Sequence, residues 1–413
     1  MKPIKCFGCM CVYLLFSIVI GTMLLYGAFL LPVDKIDKHV AISSQIIYKE
    51  QTYPELSKHF SSKLDNWTDS IMLLEAANDA ESSTMERAMA SFRYRIGTAT
   101  PTETIIRHYI GGEDFDEIRA YPRYWHGYLI FLKPILLFFT LHQIRIINGV
   151  IQALLFFCTC LLMIKRNQDF YLIPWMLGYF MLMPIVLAKS LQYSSCYYIY
   201  MFGTLALLII PEKKLIKFAP FVFFNIGIAT AYFDFLTYPI ATFGVPMLIN
   251  LLLIGRTFFK EKIIAGIKNG IMWCIGYGGM WVSKWFLASK FLKKDVLFDA
   301  LSKFIVRTSS SSSDYHLSKV RVVMSNYKEF FRTPITWLSV VCLLYCAYLI
   351  VKNWRSISIE VIKTFMLYIV VGLAPAVWYA FATNHSAIHY WFTNKACIVT
   401  FLSILFGSVS LTE

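Results

Sequence analysis

The sequence predicts an all-α polytopic membrane protein, with about ten transmembrane helices and a long first extracytoplasmic loop that carries interfacial amphipathic helices. Three observations predict this class. Of the 413 residues, 57% are hydrophobic, 17% aromatic and only 15% charged, with a mean hydropathy of +0.57. Apolar runs of about 18 residues or more recur along the chain, and in hydrocarbon such runs satisfy their backbone groups only as helices. Basic residues, finally, collect at alternate connections between those runs.

The first run extends from about Val12 to Pro32, behind Lys2 and Lys5. It is long for a signal-peptide core and lacks a small-x-small cleavage site, so it reads as a signal anchor with a cytoplasmic N-terminus. Nine further spans are expected near 145–164, 170–188, 195–211, 218–235, 237–254, 267–288, 335–351, 361–382 and 394–410. With that start, the cytoplasmic connections carry Lys165 and Arg166, then Lys213, Lys214 and Lys217, then Arg256, Lys260 and Lys262, then Lys352 and Arg355. The expected organisation is an anchor over 1–33, a loop over 34–143, a six-span bundle over 144–289, a basic outer loop over 290–334 and three spans over 335–413. The expected setting is a bacterial plasma membrane with the active face outside.

The net charge of +14 is largely this orientation signal and does not argue for nucleic acid. The stretch from Lys290 to Arg332 is different, with nine Lys or Arg against four Asp or Glu on the outer side. A bound anion such as a lipid phosphate explains such a loop, as does adhesion to an anionic wall polymer. Its Ser309–Ser313 run suggests a flap that orders on lipid binding. Ten cysteines add little. Cys6, Cys9 and Cys11 lie on the reducing side, open to acylation or metal binding or simply small apolar residues, and the first loop has none to form disulfides.

That loop holds 15 of the 25 acidic residues. Helical spacing over Ser70–Arg87, and again over Thr102–Tyr109 after Pro101, predicts helices folded against the membrane rather than an independent domain. In LDNWTDSIML, Asp65 suits a helix N-cap. Asp69 is open to a catalytic or metal-binding role, since Thr68 caps equally well. Asp114, Asp116 and Glu117 read either as a solvated loop or as a site for a divalent cation such as Mg or Mn. In RYWHGY, an interfacial aromatic belt explains Tyr124 and Trp125 but has no use for Arg123 beside His126. The short apolar run after His126 contains Lys133 and Pro134 and reads as an interfacial or re-entrant helix.

Other polar residues fall on the same expected face: Lys189, Asp234, Asn384, His385 and His389. The i, i+4 spacing of the two histidines suits substrate hydrogen bonding, a structural role or, less well without a nearby carboxylate, a metal site. Asp234 reads as a partner for a basic group or as a structural residue. Ionisable residues concentrated at membrane depth mark a functional site by default. No nucleophile elbow, phosphate-binding loop or dinucleotide fingerprint is present.

One N-terminal span, a long acidic outer loop with interfacial helices and many closely spaced spans, together with LDNWTDSIML, RYWHGY and NHSAIHYWFT, resemble the GT-C superfamily of integral-membrane glycosyltransferases. The resemblance covers most of the chain as architecture. It implies a GT-C-like fold and an enzyme that transfers a sugar from a polyprenyl-phosphate donor to a lipid, polysaccharide or protein acceptor of the cell envelope. It also implies an essential aspartate in the first loop, a role that falls by position on Asp69 or Asp65. The family's acidic pair behind the first span is not clear here, because Lys35 and Ile36 separate Asp34 from Asp37. Chemically, such transfer needs a base for the acceptor hydroxyl and positive charge for the departing phosphate. Arg123, Lys189, Arg307, Lys319 and Arg321 are the candidates for the phosphate, and Trp125 and Trp391 for stacking on sugar rings. Two alternatives remain at this level: a flippase for a lipid-linked saccharide, and a membrane polymerase, ligase or acyltransferase centred on His126 or His389.

Overall fold

A computed structural model describes residues 3–255, 257–311, 316–353 and 357–411. Lys2, Arg256, Arg355, Ser312 and Ser313, used above, lie outside the described residues. The chain is built almost wholly of helices, with one small antiparallel pair of strands, Arg93–Arg95 against Glu117–Arg119. Among the described residues five stretches are long and apolar enough to cross a membrane: Gly8–Phe29, Leu141–Lys165, Glu212–Phe233, Ile359–Phe381 and Tyr390–Ser410.

The remaining expected spans take less regular forms. The run at 170–188 is two helices, Leu172–Met181 and Pro184–Lys189. Between them Met183 takes a φ of 53°, and Pro184 has no N–H with which to continue the first helix. The run at 237–254 is the 15-residue helix Pro239–Leu253, and that at 267–288 is the middle of the 34-residue helix Phe259–Leu292. Near the C-terminus the helix Ile359–Gly372 breaks before Pro375 and resumes as Ala374–Phe381.

The first loop is more divided than its spacing suggests. The helix expected over 70–87 is two, Asn66–Ala76 and Thr84–Ala90. Ser83 and Glu86 form a reciprocal capping box at the start of the second, which satisfies two free N–H groups there. Pro101–Tyr109 forms as expected, capped by Thr100 and Glu103. The helix expected after His126 is short, Leu129–Leu136. The basic stretch expected as a flap is mostly two helices, Val296–Thr308 and Lys319–Phe330.

Two apolar cores hold these elements. The larger joins the helices between Phe156 and Ile254 to the C-terminal helix through Val399, Leu402 and Phe406. The second joins the first helix to the loop helices through Leu25, Ile36, Leu73, Met89 and Leu129, together with Phe224, Tyr232 and Met280 of the bundle. Buried cations tie the loop down by meeting carbonyls at helix C-termini, where the peptide dipoles favour positive charge. Lys133 donates to the Ala76 carbonyl at 2.6 Å, and Lys284 to that of Met89 at 2.9 Å. Arg87 donates to the Phe29 carbonyl at 3.3 Å.

The helices Glu212–Phe233 and Phe259–Leu292 touch backbone to backbone. A Cβ on Gly227 would lie 2.2 Å from the Trp273 carbonyl oxygen, and one on Gly276 would lie 2.3 Å from that of Phe224. Small residues at such crossings permit close packing in membranes. Gly227→Val should therefore push the pair apart and destabilise the fold by about 1–3 kcal/mol, read as a lowered thermal midpoint in detergent. An unchanged midpoint would contradict the close contact.

Candidate active site at one end of the bundle

Asp65 opens the helix Asn66–Ala76. One carboxylate oxygen accepts the Thr68 N–H at 3.0 Å, the N-cap expected of it. The Asp65 backbone N–H donates to the Ser190 hydroxyl at 3.1 Å. Its second carboxylate oxygen lies 3.4 Å from the indole nitrogen of Trp391, across 326 residues of sequence. Asp69, one turn further on, caps a different helix. Its Oδ1 accepts the N–H of Leu191, the first residue of Leu191–Ile209, at 3.0 Å, and its Oδ2 lies 3.5 Å from Arg145. Arg145 also donates to Glu50 at 2.8 Å and to Asn66 at 2.8 Å.

Both aspartates are sealed from solvent, at 1% and 0% exposure. Burial lifts the Asp65 carboxyl to about 6 against the opposing pull of its hydrogen bonds and of Lys395. Burial likewise lifts Asp69 to about 7, with Arg145 opposing and the neighbouring Asp65 adding to the rise.

The hairpin made of Thr383–Ile388 and Tyr390–Thr393 carries the two histidines. His385 Nε2 lies 2.7 Å from the Leu236 carbonyl, so this nitrogen bears the proton and Nδ1 accepts. Arg307 Nη1 supplies that hydrogen bond at 3.1 Å and also reaches His389 Nε2 at 2.7 Å. Both rings therefore act as neutral acceptors. Burial, with the Arg307 charge beside them, holds His385 well below the usual histidine range and His389 down at about 3. The i, i+4 spacing thus serves a guanidinium. Asp234 supports the arrangement from below: it accepts the Thr237 N–H at 2.9 Å and holds a turn in which Leu236 takes a φ of 67°. The Asn384 N–H donates to the Ser309 carbonyl at 3.1 Å, joining the hairpin to the basic stretch.

Arg307 opens onto a cavity of about 290 Å³ whose walls include Arg123, Lys303, Tyr124, Trp281, Trp285 and Trp378. Arg123 is paired with Asp299 at 2.9 Å, and the Trp285 indole fixes its carbonyl at 3.0 Å. Three cations face aromatic walls with no acid among the lining residues. That combination suits an anionic head on an apolar tail.

Other residues singled out in the sequence lie elsewhere. His126 is buried with its ring nitrogens on Glu75 at 3.1 Å, the Tyr128 hydroxyl at 3.0 Å and the Tyr121 carbonyl at 2.7 Å. Trp125 is 1% exposed and donates to the Met280 carbonyl at 2.6 Å, so it is a core residue rather than a surface for sugar. Lys319 and Arg321 are exposed on the first turn of their helix and do not line the cavity. Lys189 is half-buried at the end of Pro184–Lys189, one residue before the Ser190 hydroxyl that Asp65 meets.

The acidic run does not fit a divalent cation. Asp116 accepts the Gly97 N–H at 2.9 Å, Glu117 pairs with Arg119 and Arg95 at 2.8 and 3.4 Å, and Asp114 points to solvent. No three His, Cys, Asp or Glu side chains converge as a metal would require among the described residues.

Arg145 and Lys395 went unread in the sequence, as did Glu75. Lys395 is 3% exposed and places its ammonium 4.5 Å over the Tyr193 ring, with its charge bearing on Asp65. The available signal was a charge inside an apolar run, since Arg145 and Lys395 both fall within stretches fit to cross a membrane. No family model, curated protein or solved structure matches this chain.

Proposed function

We propose that the chain is a membrane glycosyltransferase that moves a sugar from a polyprenyl-phosphate donor to a cell-envelope acceptor, with Asp65 as general base. The observation that carries this reading is the hairpin at 383–393. Within it, Trp391 touches Asp65 while His389 touches Arg307, so one short segment links a carboxylate to a cationic, aromatic-walled cavity. In the proposed reaction Asp65 takes the acceptor hydroxyl proton, the oxygen bonds to the anomeric carbon, and the bond from that carbon to phosphate oxygen breaks. The phosphate leaves with its electron pair onto Arg307, and the anomeric configuration inverts. Asp69, committed to Leu191 and Arg145, is a positioning residue in this scheme. The acidic run at 114–117 does not fit a cation, so no step is routed through one.

The fuller topology belongs to the same proposal: about ten crossings, a cytoplasmic N-terminus and an extracytoplasmic site in a plasma membrane. It is supported by where the basic connections fall. Arg166 bonds the Ile210 carbonyl at 2.7 Å and Lys262 bonds Thr364 at 3.0 Å. Arg166 follows the last residue of Leu141–Lys165 and Lys262 lies in the first turn of Phe259–Leu292, whereas Arg145 and Trp285 lie toward the other ends of those two helices. The partners are then membrane lipid, the lipid-phosphate donor and a glycan or lipid acceptor, with no nucleic acid. A histidine-centred mechanism fits less well, because His126 has its ring nitrogens occupied and Arg307 occupies the Nε2 lone pair of His389.

Arg307→Gln tests the phosphate role. In membranes supplied with a radiolabelled polyprenyl-phosphate sugar, KM for the donor should rise about 10–100-fold, the worth of a charge-assisted contact. An unchanged KM would remove Arg307 from the site.

A further inference from the structure

The loop after the helix Val33–Glu50 meets the hairpin directly over Asp65. Tyr53 and Trp391 lie edge to face with ring centres 5.2 Å apart, and Phe60 lies parallel to Tyr390, also at 5.2 Å. Lys63 sits 4.3 Å over the Phe60 ring. Tyr53 is 37% exposed, and Phe60, Tyr390 and Trp391 are half-buried, so these rings form a shelf rather than a core. The Asp65 carboxylate beneath it touches the shelf through the Trp391 indole at 3.4 Å, and Lys63 pairs with Glu55 at 3.8 Å.

Aromatic faces beside a carboxylate match one ligand chemistry well. A pyranose presents an apolar C–H face, which covers a ring, and a rim of hydroxyls, one of which would take the place of the Trp391 indole on the otherwise closed Asp65 carboxylate. A lipid acceptor would need a continuous apolar groove and gains nothing from Lys63 and Asp65. A peptide hydroxyl would want backbone hydrogen bonds that this side-chain shelf does not offer.

We propose that the Tyr53, Phe60, Tyr390 and Trp391 shelf is the acceptor subsite and that the acceptor is a saccharide, an inference that rests on the transferase reading. Its test measures binding rather than turnover. The purified full-length chain in nanodiscs is presented separately with maltotetraose, cellotetraose and chitotetraose, and saturation-transfer NMR is recorded. At least one should receive saturation at its ring C–H protons, and Trp391→Leu should weaken that binding tenfold or more. Tyr53→Leu, at an exposed loop position, should weaken it as well and guards against misfolding of the first variant. Binding by none of the three sugars, or binding that neither variant alters, would overturn the subsite. Transfer of labelled sugar without such binding would sink the shelf and leave the transferase standing. Binding without transfer would overturn the transferase reading and, with it, the acceptor role, leaving only a saccharide-binding shelf.

Discussion

Asp65→Asn should lower sugar transfer by about 10²–10⁴-fold, the usual worth of a positioned general base, with little change in folding. Asparagine is as good an N-cap as aspartate, so the Thr68 contact at 3.0 Å survives, while the amide NH2 replaces the oxygen that accepts from the Trp391 indole. What disappears is the ability to take a proton, together with that one indole contact. Asp69→Asn should behave differently, costing stability through Arg145 and reducing kcat far less. Full transfer by Asp65→Asn would sink the proposed base.

The pH dependence sharpens this test. Burial lifts the Asp65 carboxyl to about 6, and a base must be ionised, so transfer should climb as pH rises through about 6 and then level. Stability should move the other way. Both carboxyls stand above their ordinary 3.8, Asp65 at about 6 and Asp69 at about 7, so the folded chain keeps protons that the unfolded chain has released. Their contribution is fully present below about 3.8 and is lost as pH rises through the folded values. Thermal midpoints should therefore fall from pH 4 toward pH 7 for this pair while activity rises. Transfer that declines over that window would contradict the assignment.

How much of this was legible depended on whether partners lay nearby in sequence. The Asp65 cap was readable because its donor stands three residues on, and the helix after Pro101 because that proline marks its start. Ser83-x-x-Glu86 carried the same kind of signal, and it marks the break that helical spacing alone ran through. The strands at 93–95 and 117–119 had no local mark, since each pairs with a segment some two dozen residues away. Arg307, His385 and His389 were each singled out, but as a phosphate ligand and, apart from it, an i, i+4 histidine pair. Their union spans 78 and 82 residues, and only tertiary packing makes acceptors of the rings. Asp69 illustrates the same limit: an acid in the first turn of a helix reads as a cap or a base, and which helix it caps depends on the fold. Arg145 and Lys395 were hidden by their neighbours, because apolar runs were read for length and not for the single charge within them.

Arg145→Met should destabilise the chain by about 3–5 kcal/mol, the cost of removing one partner from a buried ionic network. The guanidinium is 4% exposed, with Glu50 at 2.8 Å and Asp69 at 3.5 Å, and it is also the donor to the Asn66 amide oxygen at 2.8 Å. Methionine fills the stem's volume but leaves these oxygens facing an apolar helix. Lysine should rescue only in part, since one ammonium cannot reproduce the planar fork that meets three acceptors. If the loss arises from the stranded Asp69 charge, then Asp69→Asn made in the Arg145→Met background should cost much less than it does alone. The double-mutant cycle would then show a coupling of at least about 1 kcal/mol. Thermal midpoints of the four proteins in one detergent supply the measurement. Strict additivity would mean that Arg145 acts through Glu50 and Asn66, and that Asp69 holds the start of Leu191–Ile209 without it.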